Sequence, residues 1–367
     1  MPRRIGRRAG VGVLAALVAM AGVLGYRAWA ERWPARLVLG SAPGERLLGF
    51  SPDGAVLATS DDRAGIAVWD VVSGRRRATW AVPDRVVVMG EFAPDGRTLA
   101  AVTRHNDAPA EVILVDVATG RVRSTAVVRY DRPSAFGYSA DGAEILLGSD
   151  DRTGLREVVR FDAATGVEVG TARPTPGPPG TIVLAITGGR YLANFPPNGG
   201  PITLDPVGPG PARPPIRVGA TTAGASGAMA ITADGRRFAL GRLDGTIEVW
   251  DVATGTRLET IRAHAGRDAS GSLYFSPDGR TLISDGWRTN GGPTGLAFVL
   301  SIELGRLRDY LLGQASRPNN YVVIDVETGR ITARSGDPYH LLFAPDGRTV
   351  ATTDRDQRIR LRELPPR

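Results

Sequence analysis

The sequence predicts an all-β fold: a seven-bladed β-propeller preceded by an N-terminal transmembrane or signal helix. Three features predict it: a recurring four-residue β-turn, a recurring strand end of the form Asp-x-x-x-Gly, and an apolar N-terminal stretch beside arginines. The turns begin at Ser51, Ala93, Ser139, Thr232, Ser276 and Ala344, at spacings of 42, 46, 93, 44 and 68 residues. A period in the forties built on β-turns is typical of a radial array of small sheets, and 93 is about two periods.

Each copy of the repeat contains four short strands. In the first copy these are residues 47–51, 55–60, 66–71 and 76–82. Pro52 presets φ at the second turn position and Gly54 takes a positive φ, which explains the turn between the first two strands. Residues 66–71 are β-branched and aromatic, as in a buried strand, and residues 76–82 are more polar, as in an outer edge strand. Four strands of this kind make one propeller blade.

The third strand ends in the same way in five copies. Asp-x-x-x-Gly begins at Asp70, Asp116, Asp162, Asp251 and Asp325. Together with the six turns, these residues resemble the WD40 repeat family in its bacterial Ser-Pro-Asp-Gly form, over residues 35–367. The resemblance implies a β-propeller that acts mainly as a protein-interaction scaffold.

Two copies depart from the pattern. The copy near 180–218 is degenerate, with strands expected at 181–186, 191–194 and 202–205, and counting it brings the turns to seven. Prolines lie on both sides of it, and because proline donates no backbone hydrogen bond we expect edge or loop there. In the sixth copy, residues 296–304 and 321–329 align equally well with a third strand. Residues 288–320 are therefore an insertion or an extra hairpin, and 296–312 could also form a helix on the rim.

The two ends of the repeat region complement each other. The last copy has no fourth strand after residues 357–364, and residues 35–42 belong to no copy. An open blade would leave a hydrogen-bonding edge exposed. We therefore expect residues 35–42 to close the ring as the outer strand of the last blade.

The N-terminal segment, residues 1–30, predicts export. Residues 9–26 are uncharged, which is at the lower limit for a membrane span and slightly above a usual signal h-region. The preceding arginines keep that end in the cytoplasm, so the propeller is expected outside the cell membrane as a single-pass protein. Ala28-Trp29-Ala30 fits a small-x-small cleavage site, and cleavage after Ala30 would instead give a secreted protein.

The charge balance and the lack of cysteine exclude several classes of partner and site. The formal charge is +7, but five arginines lie in residues 1–30, and the rest carries 40 basic against 38 acidic residues. A near-neutral ring argues against nucleic acid, which needs a concentrated basic surface. The absence of cysteine excludes disulfides, thiolate sites and a lipid-modified N-terminal cysteine.

Few residues are candidates for a site. His264 lies twelve residues before Ser276, near the family's Gly-His position. There the resemblance implies a hydrogen bond to an Asp in the turn between the second and third strands, which locks the blade. Asp285 is the positional match to that Asp, and Ser284 could take part in the same hydrogen-bond network. A leucine replaces the third-strand tryptophan of this copy. Trp69 and Trp250 are expected to pack in blade cores.

The sequence predicts no catalytic or metal-binding site. The three histidines, at 105, 264 and 340, fall in different copies without a zinc-helix spacing. The acidic groups at 61–62, 150–151 and 354–356 occupy one type of turn, where Asp is common because it bonds local backbone; calcium binding is the alternative. We expect no catalytic residue, no metal and no cofactor.

The predicted function is a non-catalytic scaffold that binds a protein or peptide, because loops on a rigid ring suit recognition. Residues 288–320 and the Pro-rich 196–215 stretch are the candidate contact sites. One alternative is a propeller hydrolase or lyase that acts on a sugar or lactone through carboxylates in the central channel. The other is a structural spacer in an envelope complex.

Overall fold

The protein is a seven-bladed β-propeller. The computed structural model describes residues 35–41, 44–61, 65–82, 85–104, 109–128, 133–150, 156–173, 182–186, 190–196, 200–208, 214–221, 224–264, 268–288, 320–335, 340–354 and 357–364. Within these ranges there are 28 strands in seven antiparallel four-stranded sheets, and no helix.

The strands follow one another blade by blade. In chain order they are β1 (Ala35–Val38); then blade 1, β2 (Arg46–Phe50), β3 (Val56–Asp61), β4 (Gly65–Asp70) and β5 (Arg76–Trp80); blade 2, β6 (Val86–Phe92), β7 (Thr98–Arg104), β8 (Glu111–Asp116) and β9 (Val122–Val127); blade 3, β10 (Pro133–Tyr138), β11 (Glu144–Asp150), β12 (Arg156–Asp162) and β13 (Glu168–Ala172); blade 4, β14 (Ile182–Ile186), β15 (Tyr191–Phe195), β16 (Pro201–Pro206) and β17 (Ile216–Thr221); blade 5, β18 (Ala225–Ile231), β19 (Arg237–Arg242), β20 (Thr246–Asp251) and β21 (Arg257–Arg262); blade 6, β22 (Asp268–Phe275), β23 (Thr281–Arg288), β24 (Asn320–Asp325) and β25 (Ile331–Ser335); and blade 7, β26 (His340–Phe343), β27 (Thr349–Thr353) and β28 (Ile359–Glu363).

The ring closes through the first strand. β1 pairs antiparallel with β28, with Leu37 opposite Leu361, and so supplies the fourth strand of blade 7. Beyond the strand, the Leu39 backbone N–H donates to the Ile359 carbonyl at 2.9 Å. The Ile359 N–H donates in turn to Ser41 Oγ at 3.2 Å. The edge that β28 would otherwise expose is therefore paired.

The hydrophobic core is divided among the seams between blades. Seven buried clusters are found in the described residues, and each combines side chains of two neighbouring blades. At the seam of blades 7 and 1, for example, Leu361 packs with Trp69 and Phe50. Each sheet buries both faces in this way, so a blade is stable only between its neighbours.

The recurring turn is built from its own side chains. In the first copy the Gly54 N–H donates to the Ser51 carbonyl at 2.8 Å, and Gly54 has φ of +70°. The Ser51 hydroxyl donates to Asp53 Oδ1 at 2.5 Å, and that oxygen also accepts from the Ala55 N–H at 3.0 Å. The same Ser or Thr to Asp bond recurs at Ser139, Thr232 and Ser276.

The Asp-x-x-x-Gly strand ends are equally self-contained. In each of the five copies the Asp carboxylate accepts from both the backbone N–H and the hydroxyl of the residue three positions later. These bonds lower the pKa of Asp70, Asp116, Asp162 and Asp251. The following Gly adopts a positive φ, as at Gly120 (+69°), and its N–H donates to the carbonyl of the Asp. The motif is thus a turn framework.

The degenerate copy forms a complete sheet. Its strands β14 to β17 pair in sequence order. Prolines were expected only at edges or in loops, but Pro201 and Pro206 belong to β16, which has a partner on both sides. They are its first and last residues, where a missing N–H interrupts the ladder least.

The third strand of blade 6 is β24, which pairs with β23 from Thr281 opposite Asp325 to Gly286 opposite Asn320. Of the two segments that align with this strand, the sheet contains the later one. Residues 289–319, including 296–304 and the alternative helix at 296–312, lie outside the described residues.

The N-terminal segment 1–30 also lies outside the described residues. Among the residues that the structure does describe, none belongs to a helix of the length and apolarity needed to cross a bilayer.

Candidate functional site

The two ends of the ring differ in their connections. Because neighbouring strands are antiparallel, the first-to-second connections of all seven blades and the third-to-fourth connections of blades 1 to 6 lie at one end, which we call the turn face. It carries the two motifs described above. The other end, the loop face, carries the second-to-third connections and the links between blades. The turn-face connections are five residues long except in blade 4, where they are residues 187–190 and 207–215. The loop-face connections vary more in length, from residues 62–64 in blade 1 to residues 289–319 in blade 6.

His264 belongs to a buried hydrogen-bond network in blade 6. His264 is 3% exposed, and its Nε2 lies 2.9 Å from Ser284 Oγ. Ser284 Oγ also lies 2.8 Å from Ser270 Oγ. Burial, assisted by the nearby charge of Arg334, lowers the pKa of His264 to about 4, so the ring is neutral near pH 7. His264 Nδ1 makes no hydrogen bond to any described residue.

Asp285 is placed differently from the sequence-based expectation. It lies within the second strand β23 rather than in the turn that follows, and its carboxylate accepts from the Ser272 backbone N–H. The third-strand residue at the tryptophan position of this blade is Ile324 and not a leucine, since Ile324 pairs with Leu282 as Trp69 pairs with Leu57. The prediction of a leucine at this position is therefore wrong.

Blade 1 has a buried polar network that sequence reasoning missed. Trp69 Nε1 donates to Thr59 Oγ1 at 2.9 Å, and the Thr59 hydroxyl donates to Glu45 Oε2 at 2.8 Å. Arg76 donates to the other Glu45 oxygen at 3.0 Å and stacks on the Trp69 ring, 4.6 Å from its centroid. Thr59 is fully buried and Glu45 is 2% exposed. Trp69 is thus in a blade core, but through a hydrogen bond as well as packing.

Blade 7 repeats this arrangement with other residues. Arg362 occupies the tryptophan position, opposite Val350, and its Nε donates to Thr352 Oγ1 at 3.1 Å. Thr352 donates in turn to Asp354 at 3.0 Å, and Arg362 and Arg360 both pair with the Asp354 carboxylate. Burial raises the pKa of Asp354, and the two arginines oppose that rise. This carboxylate, one of the turn acids considered for calcium, is therefore held by arginines.

The three networks share a position that the sequence does reveal. Ser284, Thr59 and Thr352 each lie eight residues after the first residue of their blade's recurring turn. Ala101, Leu147 and Leu240 stand there in blades 2, 3 and 5. A hydroxyl at this one position is the signal that could have found all three networks, which fall in the consecutive blades 6, 7 and 1.

Trp250 of blade 5 is only partly buried. It packs against the core cluster of blades 4 and 5, and its Nε1 donates to Glu248 Oε2 at 3.2 Å. Arg257 lies 5.9 Å from its ring centroid and donates to the other Glu248 oxygen at 3.1 Å. As in blade 1, an arginine that begins the fourth strand covers the tryptophan.

The other two histidines and the acidic turns do not form a common site among the described residues. His340 is exposed at the start of β26, and residue 105 lies outside the described residues. No group of three or more His, Asp or Glu side chains suited to a metal occurs among the residues described. The acidic side chains at 61–62 and 150–151 lie outside the part of the chain that the structure describes.

No protein-family model matches the chain. A stretch of 134 residues, 36% of this chain, is 32% identical to rat (Rattus norvegicus) telomerase protein component 1. The chain covers 4% of that protein's length. The seven-bladed ring and this similarity fit a propeller of the WD40 type; the bacterial Ser-Pro-Asp-Gly subtype stays a prediction.

Proposed function

We propose that this protein is a non-catalytic interaction scaffold that binds another protein or a peptide at its loop face. The observation that carries the proposal is the contrast between the two ends of the ring. On the turn face, the motif side chains are engaged in hydrogen bonds within their own turns. On the loop face, the connections differ in length and sequence from blade to blade. A rigid framework with variable loops at one end is a typical arrangement for recognition.

The WD40 type supports the same function. Propellers of this type generally bind protein partners and usually have no catalytic activity of their own. The similar rat protein is named a protein component of telomerase, which describes a part of an assembly. Since the shared stretch covers 4% of that protein, the scaffold role is the only aspect that we extend to this chain.

The proposed location is the extracytoplasmic side of a bacterial cell membrane, with residues 1–30 as anchor or as a cleaved signal. The support is the sequence alone: arginines followed by the uncharged residues 9–26. Fractionation of cells that express the full chain tests this proposal. A propeller that resists protease added to intact spheroplasts, but is digested after lysis, would contradict it.

The contact surface is tested by replacing residues 289–319 with a short Gly-Asn-Gly linker. The linker should leave the ring folded, because β23 and β24 already pair up to Gly286 and Asn320. The matched control is Val72→Arg, a substitution at an 80% exposed position on the turn face. Both variants and the parent chain are crosslinked in the native envelope, and captured proteins are identified by mass spectrometry.

We expect the linker variant to lose partners that the parent and the Val72→Arg control retain, with all three proteins unfolding at similar temperatures. Recovery of the same partners by the linker variant would show that residues 289–319 do not form the contact. Loss of the same partners by the control alone would move the contact to the turn face.

A further inference from the structure

The described part of the chain starts at the turn face of the ring. β1 runs antiparallel to β28, and its first residue, Ala35, lies opposite Arg362 near the turn-face end of that strand. The Arg36 side chain donates a hydrogen bond to the Val71 carbonyl at 3.1 Å. The chain that precedes Ala35 therefore reaches the ring beside the third-to-fourth turn of blade 1, residues 71–75.

This turn packs directly on β1. Gly74 has φ of +68°, and a Cβ there would lie 2.6 Å from Leu37 Cδ2. Val72 at the tip of the turn is 80% exposed, the largest fraction for any large apolar side chain in the described ranges. The other Asp-x-x-x-Gly copies have smaller or charged residues at this position: Ala118, Ala164, Ala253 and Glu327. An apolar tip thus lies beside the point where the chain enters the ring.

Arginines are denser after this turn than after any other copy of the motif. Residues 75–77 are all arginine and all exposed, whereas the corresponding residues include two arginines in blade 2, one in blade 5, one in blade 6 and none in blade 3. Three of the four local arginines have an acidic partner: Arg77 pairs with Asp70, Arg76 with the buried Glu45, and Arg36 with Glu363. Among the described residues, Arg75 has no ion pair. Four arginines against three carboxylates leave one positive charge in excess, at Arg75.

The chain before Ala35 limits how far this turn can lie from a membrane. Eight residues, 27–34, separate the proposed anchor stretch 9–26 from β1, and eight residues span at most about 28 Å. A six-residue strand such as β4 is roughly 20 Å long, so the loop face lies about one strand length farther along the chain path than the turn face. A tether of this length therefore keeps the turn face nearer to the bilayer.

We propose that the blade 1 turn docks the turn face on an anionic lipid surface, so that the loop face points away from the bilayer. This inference rests on the proposed anchoring by residues 1–30. An exposed apolar side chain beside arginines suits a bilayer interface, because Val72 can enter the headgroup region while Arg75 binds a lipid phosphate. In this orientation the loop face is open to a protein partner.

Fluorescence quenching in lipid vesicles measures the orientation of the full chain. The vesicles contain either neutral or anionic phospholipid, together with a lipid that carries a quencher on its headgroup. Because the chain has no cysteine, one fluorophore can be attached at a single introduced cysteine. The turn-face site is Ala118→Cys, at the exposed tip of the neighbouring blade 2 turn, and the loop-face site is His340→Cys, at the exposed start of β26.

We expect strong quenching at Ala118→Cys in anionic vesicles, less in neutral vesicles, and little at His340→Cys in either. In the Ala118→Cys chain, Arg75→Gln should lower the ratio of docked to undocked ring about fivefold, because it removes one arginine from the anionic surface. High salt should lower the ratio in the parent as well. The matched control is Arg236→Gln, which removes an arginine with an 84% exposed side chain from the turn face of blade 5; it should leave the ratio unchanged.

Alkaline carbonate extraction of the same vesicles separates this inference from the proposed anchor. A chain that carbonate releases would refute the anchor, and the docked orientation with it. A chain that stays in the vesicles but shows equal quenching at the two sites would refute the orientation alone. Equal effects of Arg75→Gln and Arg236→Gln, or quenching that does not depend on lipid charge, would overturn the lipid contact. The comparison of the two labelled sites decides the orientation even if Arg75→Gln fails to fold.

Discussion

Substitution of Gly120 by Ala should destabilise the ring more than the same substitution at Gly54. Both glycines have nearly the same backbone, with φ of +69° and +70°, and both donate their N–H within a turn. They differ in what a new methyl group would meet. At Gly120 a Cβ would overlap Cδ1 of Trp80, a buried side chain of the neighbouring blade 1, whereas at Gly54 the nearest atom is a Pro345 carbon at 3.9 Å.

The expected magnitudes separate into two parts. A non-glycine residue in the left-handed region costs about 1–2 kcal/mol, and both variants lose this amount. Overpacking a filled contact costs a further 1–3 kcal/mol or so, and only Gly120→Ala loses it, because the indole of Trp80 has to move. We therefore expect a loss of about 1–2 kcal/mol for Gly54→Ala and about 2–5 kcal/mol for Gly120→Ala.

Urea unfolding followed by tryptophan fluorescence measures the two losses, and the difference between the variants isolates the contact between blades. The double variant Trp80→Leu with Gly120→Ala provides the control. Replacement of the indole should recover much of the steric part, so the two changes should destabilise less than their sum. Equal losses for Gly54→Ala and Gly120→Ala would refute the argument that the Trp80 ring limits this seam.

Three further predictions concern other elements. The pKa of His264 falls from 6.5 to about 4 on folding, so the free energy of unfolding should decrease as pH falls from 6.5 toward 4, by up to about 3 kcal/mol. In urea titrations, His264→Asn should remove this part of the pH dependence. An unchanged pH dependence in the variant would contradict the assignment to His264. Thr59→Val should cost about 1–3 kcal/mol, since it leaves the buried Trp69 indole N–H without its acceptor and removes one hydrogen bond from the Glu45 carboxylate, which Arg76 still binds. The exposed Thr79→Val should be neutral in thermal unfolding, and equal effects would count against the network. Deletion of residues 35–41 should lower the unfolding temperature of the whole ring in calorimetry, because β28 loses its partner; unchanged unfolding would show that closure is dispensable.

The blade framework was predictable because its signals are local. The turn at Ser51 and the strand end at Asp70 are stabilised by side chains within five residues, so the residue types alone indicate the structure. The same locality explains the failure in blade 6. Residues 296–304 and 321–329 have similar local patterns, and the selection of β24 depends on its pairing with β23 and on the full burial of Tyr321.

The polar networks were hidden because their partners are distant in the sequence. Glu45 and Thr59 are 14 residues apart, and Arg76 is 31 residues from Glu45.

The pairing of β1 with β28 also sets the order in which the chain can be completed. Ser41 and Ile359 meet across 318 residues of sequence. At a synthesis rate of roughly 5–20 residues per second, the earliest strand emerges from the ribosome about 15–65 s before its partner. During that interval the nascent chain displays an unpaired strand at its start and unfinished sheets behind it, so chaperone demand should peak before translation ends and fall sharply once β28 is released.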